Sequence, residues 1–135
     1  MKKILLILFS FLFGFKLMFA QEITTPPPIQ DPNAPEITFE KIVYDYGTIK
    51  KGSNGTCEFK FKNTGKTPLI LSGAKASCGC TVPDWPTEPI APGKTAVIKV
   101  TYDTKRIGVI NKQIIVTSNA KTQTVVLTIK GNVTE

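Results

Sequence analysis

The chain has 135 residues, of which 41% are hydrophobic, enough for one domain with a buried core. Ten prolines and ten glycines favour a turn-rich β domain over a helical one. Histidine is absent, which excludes Ser-His-Asp and Cys-His catalytic arrangements and a histidine-ligated zinc site.

The formal net charge is +7, but the basic residues form no cluster in the sequence. Lys2, Lys3 and Lys16 lie in the N-terminal leader, and the remaining lysines are spread along the predicted strands. Arg106 is the only arginine available for bidentate contacts to bases or phosphates. Because nucleic-acid binding requires a basic patch, we interpret the charge as solvation of sheet faces and predict no nucleic-acid partner.

Residues 1–20 are predicted to be a secretory signal peptide. Two lysines follow Met1, the apolar run from Ile4 to Phe15 comes next, and Ala20 offers a small residue at the cleavage site. Lys16 makes the run too short for a membrane span, so we expect none after cleavage; an uncleaved anchor is the alternative. The expected location is the periplasm or the cell exterior, where disulfides can form.

Residues 21–35 are predicted to be a proline-rich linker. They contain Pro26, Pro27, Pro28, Pro32 and Pro35 and almost no large apolar side chain. Such a segment cannot build a core and favours extended polyproline II conformations. We interpret it as a tether; a proline-rich ligand for a partner is the alternative.

Alternating apolar and polar residues dominate from Glu36 onward. Ile37 and Phe39 share one face, whereas Ile42 and Tyr44 continue in another phase, so the first strand is expected to bend or bulge between them. The other apolar rows are Cys57/Phe59/Phe61, Leu69/Leu71, Ala96/Ile98/Val100/Tyr102, Ile110/Ile114/Val116 and Val125/Leu127/Ile129. This period of two predicts half-buried strands.

About seven strands are expected, with turn residues between them and no helix after the leader. This spacing predicts an all-β, immunoglobulin-like antiparallel β-sandwich over residues 36–133. The region between Pro83 and Pro92 contains four prolines, which prevent regular pairing as a central strand.

Five short phrases occur together in order: Tyr44–Ile49, Phe59–Gly65, Cys78–Thr81, Ile90–Lys94 and Ser118–Asn119. With them the chain resembles the exported bacterial domain-of-unknown-function family 1573, from Glu36 to Val133. The single phrases are also similar to Hydin-like and major-sperm-protein-like sandwiches. The resemblance implies an immunoglobulin-like fold and an envelope or extracellular location. It implies no established activity and no catalytic residue, and Cys57 stands where the family pattern has an apolar or small residue.

The segment from Ala76 to Trp85 is the candidate site. It holds two of the three cysteines, Cys78 and Cys80, and the only tryptophan. On an extended strand the two Cα atoms would be about 6.5–7 Å apart, at the long limit of disulfide geometry. Gly79 could fold the segment by adopting a positive φ and bring the sulfurs closer.

Three states of the thiols compete, and inert free thiols are the remaining alternative. A structural bridge from Cys57 to Cys78 or Cys80 is favoured, because Cys57 lies on an apolar strand face. A Cys78/Cys80 pair that exchanges thiols with a partner is the second. The third is a soft-metal site in which these two thiolates hold Cu(I), since two thiolates without histidine suit Cu(I) better than zinc.

Trp85, with Asp84 and Pro83 before it, is the candidate partner contact, since partly exposed tryptophans often anchor interfaces. Packing under the loop is the alternative. We therefore predict a non-enzymatic, exported binding or structural module whose partner is an unidentified envelope or surface protein. Its expected modes are contact around this loop or strand addition at an open sheet edge. The alternative function is thiol exchange or Cu(I) binding at the Cys-Gly-Cys loop.

Overall fold

A computed structural model describes residues 31–135 of the chain. The predicted signal peptide and residues 21–30 of the predicted linker lie outside this range. Within it, every regular element is a strand, so no helix of the described part is able to span a membrane.

The described residues form eight strands in two four-stranded sheets. The strands are β1 (Ile37–Phe39), β2 (Val43–Lys50), β3 (Thr56–Asn63), β4 (Leu71–Ala76), β5 (Thr81–Asp84), β6 (Thr95–Tyr102), β7 (Gly108–Ser118) and β8 (Thr124–Thr134). One sheet has the order β1-β3-β6-β5 and the other β2-β8-β7-β4. The all-β, immunoglobulin-like sandwich predicted from the sequence is confirmed, with eight strands where about seven were expected.

The core lies between the two sheets and follows the period-two pattern. In β3, residues alternate strictly between exposed and buried, so that Cys57, Phe59 and Phe61 all point inward. The opposite sheet contributes Ile114 from β7 and Leu127 from β8, which pair in register. Because alternate side chains of a strand point to opposite faces, the sequence pattern fixes which face each strand buries.

The first predicted strand is in fact two strands in different sheets. β1 pairs with β3, whereas β2 pairs with β8 in the opposite sheet. The alternation of apolar residues changes phase between Phe39 and Ile42 because the chain crosses there from one sheet to the other. The predicted bend or bulge within a single strand is therefore wrong. Ile42, just before β2, and Val43, the first residue of β2, are both exposed.

The predicted antiparallel arrangement needs one correction, because β2 runs parallel to β8. The register of this pair shifts between Asp45 and Thr48, where Gly47 takes a φ of 64°. Gly131 of β8 lies opposite, and a Cβ there would come within 2.8 Å of the Gly47 carbonyl oxygen. Glycine at position 131 permits this close approach, and glycine at position 47 permits the positive φ at the register shift.

The end of the predicted linker contacts the sandwich. Pro35 is buried, and its carbonyl accepts a hydrogen bond from the Lys121 N–H at 2.9 Å. The Thr67 hydroxyl donates to the Asn33 carbonyl at 2.9 Å. Residues 31–35 are therefore held against the domain, whereas the sequence predicted a tether.

Candidate functional site

The Cys-Gly-Cys segment connects two edge strands of different sheets. β4 ends at Ala76 on the edge of one sheet, and β5 begins at Thr81 on the edge of the other. A turn over Cys78 to Thr81 makes the crossing, in which the Thr81 N–H donates to the Cys78 carbonyl at 3.4 Å. The site therefore lies at the side of the sandwich, where both sheets end.

A disulfide joins Cys78 and Cys80 inside this turn. Their Cα atoms are 5.4 Å apart, shorter than two residues of extended strand and within the usual disulfide range. The turn shortens the segment as expected, but Gly79 does so without a positive φ. That part of the prediction is wrong, because a negative φ suffices for this turn.

The favoured bridge from Cys57 is not the one that the structure contains. Strand β6 lies between β3 and β5. Its residue Val100 pairs with Cys57 of β3 on one side and with Pro83 of β5 on the other. Since neighbouring strands are about 4.8 Å apart, Cys57 and Pro83 are separated by about 10 Å, and Cys80 lies three residues further along. A disulfide requires Cα atoms within about 7 Å, so Cys57 stays a free, buried thiol.

The Cys57 thiol is protected by its surroundings. It is 3% exposed and lies beside the Tyr46 side chain, whose hydroxyl donates to the Gly55 carbonyl at 2.6 Å. Burial raises the pKa of Cys57; the Tyr46 hydroxyl acts in the opposite direction, and the Glu58 charge adds to the rise. Burial, together with neighbouring Cys57, also raises the pKa of Tyr46. Both groups are therefore neutral near pH 7, and Cys57 is a poor nucleophile.

Thr81 places a hydroxyl against the disulfide. Its Oγ1 lies 3.9 Å from Cys78 Sγ and 3.7 Å from Cys80 Sγ. Thr81 is 3% exposed and Cys80 5%, whereas Cys78 is half-buried, so the Thr81 hydroxyl and Cys80 lie on the more buried side of the turn. Thr81 directly follows the second cysteine, but its residue type alone gives no signal of this contact in the sequence.

Trp85 follows β5 and packs partly against the core. It also lines a groove of about 360 Å³ beside β4, together with Ser72, Gly73, Ala74, Lys75, Ile115 and Thr117. A second hollow of about 280 Å³ shares Lys75 and Ile115 and continues along Ala76 and Ser77. We call these two hollows together the β4 groove.

The three candidate contact residues are therefore not equivalent. Trp85 lines the β4 groove, but Asp84 and Pro83 belong to β5 and do not. Ile115 was missed by the sequence analysis, although its signal was present. It lies between inward-facing Ile114 and Val116, so alternation requires it to point outward, and it is 45% exposed.

Residues 31–135 contain no group of three or more cysteine or acidic side chains able to hold a metal ion. In the disulfide form, Cys78 and Cys80 offer no thiolate, so Cu(I) binding by this pair would require prior reduction. The copper hypothesis therefore stays a prediction about the reduced chain.

Solved structures share the fold at low sequence identity. A protein of unknown function from Porphyromonas gingivalis W83 is 15% identical with a TM-score of 0.67; the match covers 78% of this chain and 50% of that one. The PapD-like domain 7 of human CEP192 is 12% identical with a TM-score of 0.63, covering 82% and 93%. The CsuC–CsuE chaperone–tip adhesion subunit complex of Acinetobacter baumannii matches at 13% identity and a TM-score of 0.53, covering 71% and 56%.

These likenesses establish the fold alone. This chain spans about half the length of the P. gingivalis protein that it matches. Curated proteins gave no match. One family model matches residues 37–133, which is most of the chain and nearly the whole sandwich. The chain therefore belongs to the family described as "Protein of unknown function (DUF1573)".

Proposed function

We propose that this chain is an exported, non-catalytic protein-binding domain of the cell envelope, which binds an extended segment of another envelope protein along β4. The signal-peptide pattern of residues 1–20 supports export. The observation that carries the binding proposal is the β4 groove, which places Trp85 beside a sheet edge that has a free side.

The backbone of β4 supports strand addition. β4 pairs with β7 on one side only. Within the described chain, no backbone–backbone hydrogen bond outside that ladder involves residues 72–76. An edge strand with free N–H and C=O groups accepts a further strand, whose main chain supplies affinity while its side chains supply specificity.

The other three edges are less suited to strand addition. β1 has only three residues, and β5 has four, including Pro83, which has no N–H to donate. β2 is longer, but its register shifts between Asp45 and Thr48, and such irregularity protects an edge. β4 also shifts register, between Leu71 and Gly73, but its stretch from Gly73 to Ala76 pairs regularly with β7, and no other backbone–backbone hydrogen bond of the described chain involves it.

The side chains of the groove indicate what the segment carries. Trp85 and Ile115 offer apolar surface, and the exposed Lys75, which pairs with Ile115 across β4 and β7, also lines the groove. A partner segment with one large apolar residue and a neighbouring acidic residue complements this arrangement. Trp85 is then the interface anchor, because a half-buried tryptophan adds contact area at little entropic cost.

The fold likeness is compatible with this function. One of the similar structures is a chaperone in a pre-assembly complex with a tip adhesion subunit. A sandwich of this kind therefore binds another protein in at least one case. The low identity transfers no residue roles, so the proposal depends on the β4 groove itself.

The binding proposal is tested by photo-crosslinking in cells. A photoreactive residue replaces Ser72 on β4 or, as the matched control, Lys99, which is exposed on β6 of the other sheet. We expect a discrete cross-linked envelope protein from position 72 only. Trp85→Ala should lower its yield about tenfold, the loss expected for an interface anchor. Equal cross-linking from both positions, or a yield unchanged by Trp85→Ala, would contradict the proposal.

Export is tested separately by the intact mass of the protein recovered from the envelope or the medium. The proposed cleavage predicts a mature chain that begins at Gln21, within a residue or two. A full-length chain retained in the cytoplasm would overturn this part and leave the binding test unaffected.

A further inference from the structure

The disulfide of the Cys-Gly-Cys turn has one accessible end. Cys78 is half-buried, whereas Cys80 is 5% exposed. Gly79 between them is exposed, and a Cβ at this position would meet no atom within 4 Å. Cys78 is therefore the more accessible of the two cysteines to a nucleophile from solvent.

Thr81 supplies a second, independent observation. Within residues 31–135, the two disulfide sulfurs are the only hydrogen-bond partners of its buried hydroxyl. A hydroxyl bonds weakly to a neutral disulfide, but it donates a stronger hydrogen bond to a thiolate. Thr81 Oγ1, 3.7 Å from Cys80 Sγ, is therefore placed to stabilise negative charge that appears there when the disulfide opens.

We propose that the Cys78–Cys80 disulfide exchanges with a dithiol of another envelope protein and accepts two electrons from it. A partner thiolate attacks Cys78 Sγ, a new S–S bond forms between them, and the Cys78–Cys80 bond breaks with its electron pair on Cys80 Sγ. Thr81 donates its hydroxyl hydrogen bond to this thiolate. Thr81 is thus a positioning residue that lowers the barrier by stabilising the leaving group.

A second step completes the exchange. The other thiolate of the partner attacks the partner's own sulfur in the mixed disulfide and expels Cys78 as a thiolate. The two thiol protons of the partner end on Cys78 and Cys80, and the partner leaves as a disulfide. Each chain accepts two electrons once, so the reaction is stoichiometric. It goes beyond the proposed binding function and does not depend on it.

The remaining thiol and the fold are compatible with this reaction. Cys57 is buried about two strands away and takes no part. The disulfide closes a loop of only three residues, which restricts the unfolded chain little, so opening it leaves the sandwich folded.

The test uses the mature chain with dithiothreitol as a dithiol probe and glutathione as a monothiol probe, followed by acid quench, alkylation and mass spectrometry. We expect dithiothreitol to open the disulfide without denaturant, and the glutathione adduct to map to Cys78. Thr81→Val should slow opening about tenfold, since a charge-assisted hydrogen bond is worth roughly 1.5 kcal/mol, whereas Thr81→Ser should restore the parent rate.

Opening only in denaturant, an adduct on Cys80, or a Thr81→Val chain that opens as fast as the parent would overturn the proposal. If Thr81→Val does not fold, the position of the glutathione adduct in the parent chain, on Cys78 or on Cys80, still tests the proposal. The Cys78→Ser/Cys80→Ser chain separates the two functions: it should lose exchange and retain cross-linking through a photoreactive residue at position 72. Loss of cross-linking at position 72 with intact exchange would overturn the binding proposal alone.

Discussion

Asn63 and Ile90 are joined inside the sandwich, where Asn63 Nδ2 donates a hydrogen bond to the Ile90 carbonyl at 2.9 Å. The same nitrogen donates to the Thr67 carbonyl at 2.8 Å, and Asn63 Oδ1 accepts from the Gly65 N–H at 3.0 Å. Asn63 is 0% exposed, so one buried amide ties together the end of β3, the following turn and the chain before β6. The Asn-Thr-Gly phrase is therefore structural.

We predict that Asn63→Ala lowers the free energy of unfolding by about 3 kcal/mol, because it removes the side-chain hydrogen bonds to the Thr67 and Ile90 carbonyls and from the Gly65 N–H, and only the Ile90 carbonyl keeps another donor, the Leu69 N–H. Urea denaturation of the mature chain measures this loss. Lys62→Ala, at the neighbouring exposed position, is the control and should change stability by less than about 0.5 kcal/mol. A loss below about 1 kcal/mol in Asn63→Ala would show that water or a shifted backbone replaces these bonds.

Gly65 permits the segment before β1 to reach the domain. A Cβ at Gly65 would overlap the Pro35 Cα and the Ala34 carbonyl oxygen. Gly65→Ala should therefore cost about 2 kcal/mol in thermal or urea unfolding, the usual range for overpacking against backbone. Gly79→Ala is the matched control, since its Cβ would meet nothing within 4 Å. Equal stability of the two variants would show that residues 31–35 do not rest on Gly65.

The pair Tyr46 and Cys57 predicts loss of stability at alkaline pH. Burial raises the pKa of Tyr46 above its ordinary value of 10.0 and the pKa of Cys57 above its ordinary value of 9.0. At a pH between the unfolded-state and folded-state pKa of either group, the folded chain still holds a proton that the unfolded chain has lost. The contribution of Tyr46 and Cys57 to the free energy of unfolding is complete below about pH 9, and it falls as the pH rises through their folded-state pKa values. Denaturation between pH 7 and 11 should show this decline, first from Cys57 and then from Tyr46.

Cys57→Ala is the control for this decline, because it removes one of the two groups. Its unfolding free energy should fall less steeply than that of the parent just above pH 9, and the later decline from Tyr46 should persist. Identical pH profiles of parent and variant would mean that the Cys57 thiol is not buried as described.

The disulfide predicts only a small effect on stability. Cys78→Ser/Cys80→Ser should lower the free energy of unfolding by about 2 kcal/mol or less, because the bridge closes a three-residue loop. Urea denaturation measures the loss. A cost above about 4 kcal/mol would identify the bridge as an essential structural staple and would contradict its proposed exchange role.

The strands could be predicted where the signal is local. Alternation alone places Phe59 and Phe61 inward on β3 and Leu127 and Ile129 inward on β8, and the structure buries all four. Strand pairing is different, because it depends on residues far apart in sequence. Nothing near β2 in the sequence indicates that Val43 pairs, in parallel, with Thr128.

The site could be predicted in position but not in connectivity. The Cys-Gly-Cys segment directly precedes β5 and Trp85 directly follows it, as their closeness in sequence requires. The choice of disulfide partner depends on strand order, which places Cys57 two strands from Pro83. The β4 groove also joins β4 to Ile115 of β7, a contact that only the folded sheet creates.

The most direct test of the binding account is amide hydrogen exchange of residues 73–76, measured in the mature chain with the photoreactive residue at position 72, alone and cross-linked to its partner. Strand addition predicts rapid exchange of the outward-facing amides in the free chain and strong protection in the complex, as new backbone hydrogen bonds form. Unchanged exchange in β4, with protection instead at β1, β2 or β5, would place the partner on another edge and contradict the account.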